Sequence, residues 1–151
     1  MKINLEGDKY MSNFIIRNGS DDENNFVFNK LVEYNLSQVP LQQEIDYIYI
    51  NRVIENENKE IIAGISGKIY CWNCVYVDQL WVDEKYRKEG LGRSLLEDVE
   101  NLSKEKGCHL IHLDTFDFQA KDFYLRNGYE VFGVLEDCPK EHKRYYLKKN
   151  I

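Results

Sequence analysis

The sequence predicts a mixed α/β fold, and three observations carry that reading. Short runs rich in Tyr, Ile and Val, separated by polar turns, fill residues 46–82. The apolar period then changes from 2 to about 3.6, with Leu91, Leu95, Val99 and Leu102 on one helical face. Strand-like runs resume after it, interrupted once by a short helical segment. At 151 residues the chain fits one domain, residues 1–151, and is long enough to bury a core.

Residues 13–17 form a short apolar run that reads as a first strand. Asp21 and Asp22 offer N-caps for a helix whose apolar face is Phe28, Leu31, Val32, Leu36 and Val39, and Pro40 stops it. Residues 46–54 read as a strand, residues 55–60 as a hairpin turn, and Ile61–Tyr70 as its partner. Asn73 turns the chain into Cys74–Val82. In the helix that follows, Glu97, Asp98 and Glu100 are expected away from the apolar face. Lys104 and Lys106 suit its C-terminus, and Gly107 supplies a left-handed cap. A strand at 108–115, a helix at 119–126 ended by Gly128, and strands at 129–136 and 143–148 complete the order.

Composition narrows the function. Hydrophobic residues at 43% and charged residues at 30% fit a soluble globular chain. No apolar stretch approaches the roughly 20 residues of a spanning helix. No signal peptide is seen in residues 1–13, so a cytoplasmic location and no membrane partner are expected. The net charge of −6 argues against nucleic acid as a partner and mildly favours a cationic substrate. Cys71 and Cys74 have C-x-x-C spacing, but no second such pair and no histidine pair at a ligand spacing accompanies them. Cys71, Cys74, Cys108 and Cys138 therefore read as reduced thiols, and no metal is expected.

The segment most informative about chemistry runs from Asp78 to Ser94. A strand ends in Leu80-Trp81-Val82, a loop follows, and Arg87-Lys88-Glu89-Gly90-Leu91-Gly92-Arg93-Ser94 opens a helix. The first N–H groups of a helix have no intrahelical partners, and the helix dipole favours an anion there. Glycines let a phosphate approach the backbone, and Arg87, Lys88 and Arg93 add positive charge. A side chain at Gly92 is expected to obstruct that approach. No Gly-Lys-Ser/Thr follows, so this is not a Walker A loop, and the three-glycine dinucleotide fingerprint is absent.

Arg87-x-x-Gly90-x-Gly92 after Leu80-Trp81-Val82 resembles the acetyl-CoA-binding motif of the GNAT acetyltransferase superfamily. Phe123-Tyr124-Leu125-Arg126-Asn127-Gly128-Tyr129 resembles that family's F-Y-x-x-x-G-[FY] element, and the element order matches over nearly the whole chain. The resemblance implies a mixed sheet of about seven strands with helices on both faces, splayed between the fourth and fifth strands. It implies acetyl-CoA as co-substrate, its pyrophosphate held by backbone N–H groups from Arg87 to Ser94 and its pantetheine arm paired with Leu80–Val82. A backbone N–H of this strand would polarise the thioester carbonyl. Tyr124 matches the tyrosine that protonates the departing thiolate. Asp117 stands where many members carry a cofactor-contacting asparagine, so that contact is not carried over; Glu89 stands where a basic or small residue is usual, and it stays in the cofactor loop through its backbone, its side chain toward solvent.

An acceptor amine must lose a proton to become a nucleophile. His112, Asp114, Asp78 and Glu136 are candidate bases, with His109 and His142 behind them. His112 leads because its ordinary pKa lies near 6.5. Tyr70, Trp72, Tyr76 and Trp81 could line an aromatic acceptor pocket, although packing explains most of them. The expected activity is direct transfer of acetyl to an amine, a small cationic one being favoured. The alternatives are a protein or peptide amine, and a non-catalytic acyl-CoA-binding module. The oligomeric state stays open, a homodimer included.

Overall fold

The computed structural model describes residues 2–3, 9–11 and 14–151, with side chains described from residue 14 onward. Asn13, where the first strand was expected to begin, and most of the stretch read for a signal peptide lie outside the described residues. The chain divides into two compact units, Met1–Pro40 and Leu41–Ile151.

In the first unit, β1 (Lys2–Ile3), β2 (Lys9–Met11) and β3 (Phe14–Ile16) form a small antiparallel sheet. Helix α1 (Asp21–Gln38) is capped by Ser20, not by Asp21 or Asp22. The Ser20 hydroxyl accepts from the Glu23 N–H at 3.3 Å, and the Ser20 N–H donates to Glu23 Oε2 at 2.9 Å. This reciprocal capping box satisfies two orphan donors, and three acidic residues occupy the first turn. Of the expected apolar face, Val32 and Leu36 are half-buried while Phe28, Leu31 and Val39 are exposed.

The second unit holds a six-stranded mixed sheet in the order β4 (Tyr47–Glu55), β5 (Ile61–Tyr70), β6 (Cys74–Val82), β7 (Leu110–Phe116), β9 (Lys143–Asn150), β8 (Glu130–Glu136). The strand count is therefore one lower than expected, because the N-terminal strand pairs in the separate small sheet. All neighbours are antiparallel except β6 and β7. Helix α2 (Leu91–Glu105) packs across β4, β5 and β6, and α3 (Lys121–Arg126) lies against β8. Both helices feed one core, in which Leu95, Leu96, Val99 and Tyr124 meet Ile50, Ile65, Ile69, Val75, Val77, Ile111, Leu113 and Leu147. Gly107 caps α2 with φ +75°, as expected.

Glu100 departs from the expected pattern. It is 7% exposed and receives a 2.7 Å bond from Lys149 Nζ, which also donates to the Asn127 carbonyl at 2.9 Å. Helical spacing alone put Glu100 outside; a lysine from β9 brings it in and ties α2 to the C-terminal end of α3. The buried Tyr129 hydroxyl, near the Glu100 carboxylate, has no hydrogen-bond partner among the described residues.

Candidate active site at the splay between β6 and β7

The parallel pairing of β6 and β7 covers only four positions, Cys74 with Leu110 through Val77 with Leu113. Beyond them, the edges Asp78–Val82 and Asp114–Phe116 share no ladder, so the sheet opens between its central strands. A β-bulge produces the divergence. Against β5, Gly67 pairs with Val77 but Ser66 pairs with Gln79, leaving Asp78 as the extra residue. The bulge also resets which face each side chain takes. Val75 and Val77 are buried ahead of it, whereas Leu80 and Val82 pack on the core after it and Trp81 stays half exposed. Gly67 permits this geometry, because a β-carbon there would collide with the Tyr76 carbonyl oxygen.

From Val82 the chain passes through a single 3-10 turn, Glu84–Tyr86, capped by the Asp83 carboxylate accepting from Lys85 N–H at 2.9 Å. Arg87 folds back over this turn, donating from Nε to the Val82 carbonyl at 3.2 Å and from Nη1 to Glu84 at 3.3 Å. Its own N–H is taken by the Glu84 carbonyl, and the Ser94 N–H by Gly90. Between them, the N–H groups of residues 88–93 donate to no acceptor among the described residues. Unlike α1, helix α2 begins on a glycine with no side-chain cap and no acid in its first turn. Lys88 and Gly90 both hold left-handed φ, +71° and +86°. That backbone turns successive donors toward one side, a geometry suited to a bound anion. Gly92 faces two neighbouring elements: a β-carbon there would lie at ordinary contact distance from Phe123 of α3 and Val82 of β6.

Helix α3 places Tyr124 in the core, 6% exposed, with its ring edge-on to Phe123 at 5.1 Å and to Tyr129 at 5.8 Å. Burial, with a smaller contribution from the Asp114 carboxylate, pushes its phenol up to about 12. Its hydroxyl makes no hydrogen bond among the described residues, yet it is not sealed away as that of Tyr129 is.

On the sheet face opposite α2 and α3, Tyr76, His112 and Asp114 form a connected cluster at the root of the splay. His112 is paired in register with Tyr76, their rings 5.0 Å apart, and its Nε2 lies 2.9 Å from the Tyr70 hydroxyl. Burial lowers the His112 pKa, and the Asp114 charge only partly offsets this. Asp114 is engaged on both oxygens, accepting from Tyr76 at 2.7 Å and from Arg144 at 2.6 Å. Burial opposes its ionisation, but these two hydrogen bonds outweigh burial and lower its pKa. Glu136 is paired with Lys143 at 3.1 Å, and Asp78 sits exposed on the bulge. Asp117 anchors the hairpin between β8 and β9, accepting from Lys143 N–H at 3.1 Å and facing His142 Nδ1 at 3.0 Å. The aspartate is thus explained by a contact within the chain. Trp72 packs edge-on to Tyr70 at 6.3 Å.

Sequence reasoning missed Arg144 and the bulge. The bulge had a signal, since the apolar residues shift from odd to even positions between Val77 and Leu80. Arg144 had none, because its partner lies 30 residues away. All four cysteines are free, and no cluster of three or more His, Cys, Asp or Glu able to hold a metal occurs among the described residues. No described helix is long and apolar enough to cross a membrane.

Residues 21–129 match the model of the Acetyltransferase (GNAT) family. The chain is 35% identical over 96 residues to a blasticidin-S acetyltransferase of Streptomyces morookaense, covering 63% of this chain and 70% of that protein. It is 28% identical to an acetyltransferase of Agrobacterium fabrum, over 91% of this chain and 98% of that one. A crystal structure of an acetyltransferase from Bacillus cereus superposes with a TM-score of 0.82 at 40% identity, covering 90% and 96% of the two chains. The chain belongs to the GNAT acetyltransferase family and is an acyltransferase.

Proposed function

We propose that this enzyme transfers acetyl from acetyl-CoA to the amine of a small molecule by direct attack at the splay. The observation that carries the reading is the continuity of three features: an open edge on β6, an uncapped helix start just after it, and a buried tyrosine, Tyr124, whose neighbour Phe123 faces Gly92 and Val82. The free N–H groups of residues 88–93 and the positive field of Arg87, Lys88 and Arg93 suit a pyrophosphate. The edge from Leu80 to Val82, open toward β7 apart from the Val82 carbonyl that Arg87 holds, suits the pantetheine amides, and a backbone N–H of this strand would polarise the thioester carbonyl.

The acceptor amine attacks the carbonyl carbon, the C–S bond breaks, and Tyr124 gives its proton to the leaving thiolate. His112, held neutral by burial, takes the proton of the amine through Nδ1 when its Nε2–H donates to Tyr70. A relative named for blasticidin S supports a small-molecule acceptor. A family match that runs through both compact units supports treating residues 1–151 as one functional domain. Four unpaired thiols suit the reducing cytoplasm.

Calorimetric titration with acetyl-CoA, CoA and ATP, followed by an amine panel read by thiol release, tests this. Tight ATP binding with no response to acetyl-CoA would sink it.

A further inference from the structure

We propose that Arg144 selects the acceptor, binding an anionic group, carboxylate or phosphate, that the acceptor carries beside its amine. The proposal rests on reading the splay as the site of acetyl transfer. Asp114 is the first residue of β7 beyond the last rung with β6, so it stands at the mouth of the opening. Arg144 lies diagonally across from it on β9, two residues from Tyr146, the register partner of Asp114, and itself in register with Phe116. Asp114 occupies only one edge of the guanidinium, with Oδ1 at 2.6 Å from Nε and also from Nη2. Nη1 points away from that edge and donates to no acceptor among the described residues.

The group is also held still. Its carbon lies 5.4 Å from the Phe116 ring and 5.8 Å from the Tyr146 ring, so two aromatic contacts fix the guanidinium while a third of the side chain stays exposed. A planar donor of fixed direction recognises carboxylate or phosphate better than a mobile ammonium does. Asp114 balances the charge of Arg144 in the free enzyme, which sets the site against simple anions. An acceptor with its own ammonium close to its anionic group fits better, because the Asp114 carboxylate lies between Arg144 and the opening.

Matched acceptor pairs give the test: an amino acid with its carboxamide, and an aminosugar phosphate with the free aminosugar. The wild-type enzyme is expected to prefer the anionic member by about tenfold or more in kcat/KM. Arg144→Lys, which keeps a cation beside Asp114 but loses the planar edge, should erase most of that preference through KM of the anionic member. Arg144→Gln, checked by thermal unfolding, should do the same. Equal preference in the wild type, or an equal loss on both members of a pair, overturns the proposal. So does a panel in which no anionic amine is bound or acetylated. Acetyl-CoA titration of the same preparations keeps failure here separate from failure of the acetyltransferase reading.

Discussion

The α-carbon of Gly92 faces the ring of Phe123: a β-carbon there would lie 3.5 Å from Phe123 Cζ and 3.5 Å from Val82 Cγ2. Both distances are ordinary contacts, so packing limits a branched side chain here without by itself requiring glycine. A methyl at ordinary contact distance is tolerable, and alanine suits a helix better than glycine. Gly92→Ala should therefore stay within about 1 kcal/mol of wild-type stability. Gly92→Val adds branches that must enter Phe123 or Val82, and should cost about 1–3 kcal/mol. Acetyl-CoA affinity should fall by more than about tenfold only in the valine variant. Thermal unfolding and calorimetry on both proteins check this; a valine variant of wild-type stability would show that the gap can widen freely.

Gly67 sits opposite the bulge, where the Tyr76 carbonyl leaves no room for a β-carbon. Backbone cannot rotate aside as a side chain can. Gly67→Ala should destabilise by at least about 1–3 kcal/mol, the range for overpacking, and should lower turnover by shifting the open edge of β6. At Gly90, whose φ is +86° with open space around it, alanine meets only conformational cost, about 1–2 kcal/mol. Denaturant unfolding of the two variants compares steric with conformational strain.

Most of this architecture was legible because it is local. The change from period 2 to 3.6 after Val82 marks α2, and the cap at Gly107 and the stop at Gly128 follow from glycine chemistry. What was not legible depended on partners distant in sequence. Glu100 reads as solvent-facing on a helical wheel until Lys149, 49 residues on, is brought beside it. Asp117 reads as a liability until Lys143 and His142 reach it. The first strand was recognised as a strand, but its membership of a separate sheet is a matter of pairing, which a run of three apolar residues does not specify.

Glu100 and Lys149 should behave as a unit. Removing one member leaves a charge in a largely enclosed site, where a broken buried pair costs about 3–5 kcal/mol. Lys149 keeps a quarter of its side chain exposed, so the lower end applies. Replacing both, as Glu100→Gln with Lys149→Met, should cost less than the two single changes summed. A double-mutant cycle by urea unfolding measures the coupling, and additivity would show that the two side chains act independently.

His112 gives a pH signature. Its folded pKa lies below the ordinary 6.5, so the unfolded chain binds the proton more readily in acid. The stability it contributes is present above about pH 6.5 and is lost as pH falls through the folded value. His112→Gln should flatten that acid limb. If His112 is also the base, the acid limb of kcat should show an apparent pKa below about 6.5. The variant should lose that limb and fall about 10²–10⁴-fold in turnover. A variant that retains the limb would assign it to another group.

Tyr124→Phe separates chemistry from packing. Burial holds the phenol near 12, so it stays protonated through neutral pH and is available to the thiolate. The substitution keeps the ring against Phe123 and Tyr129 and removes only the hydroxyl, which makes no hydrogen bond among the described residues. Stability and acetyl-CoA affinity should therefore hardly change. Turnover should fall by about 10²–10⁴-fold, the range for general acid catalysis. In the wild type, any decline in rate caused by ionisation of this phenol should appear only toward pH 12, above the titration of His112. A purely packing tyrosine predicts small changes in both stability and rate. Thiol release by the variant within about threefold of wild type, with chemistry limiting, would remove Tyr124 from the mechanism. Water or the product ammonium would then be the proton source, while the splay and the phosphate loop would keep their roles.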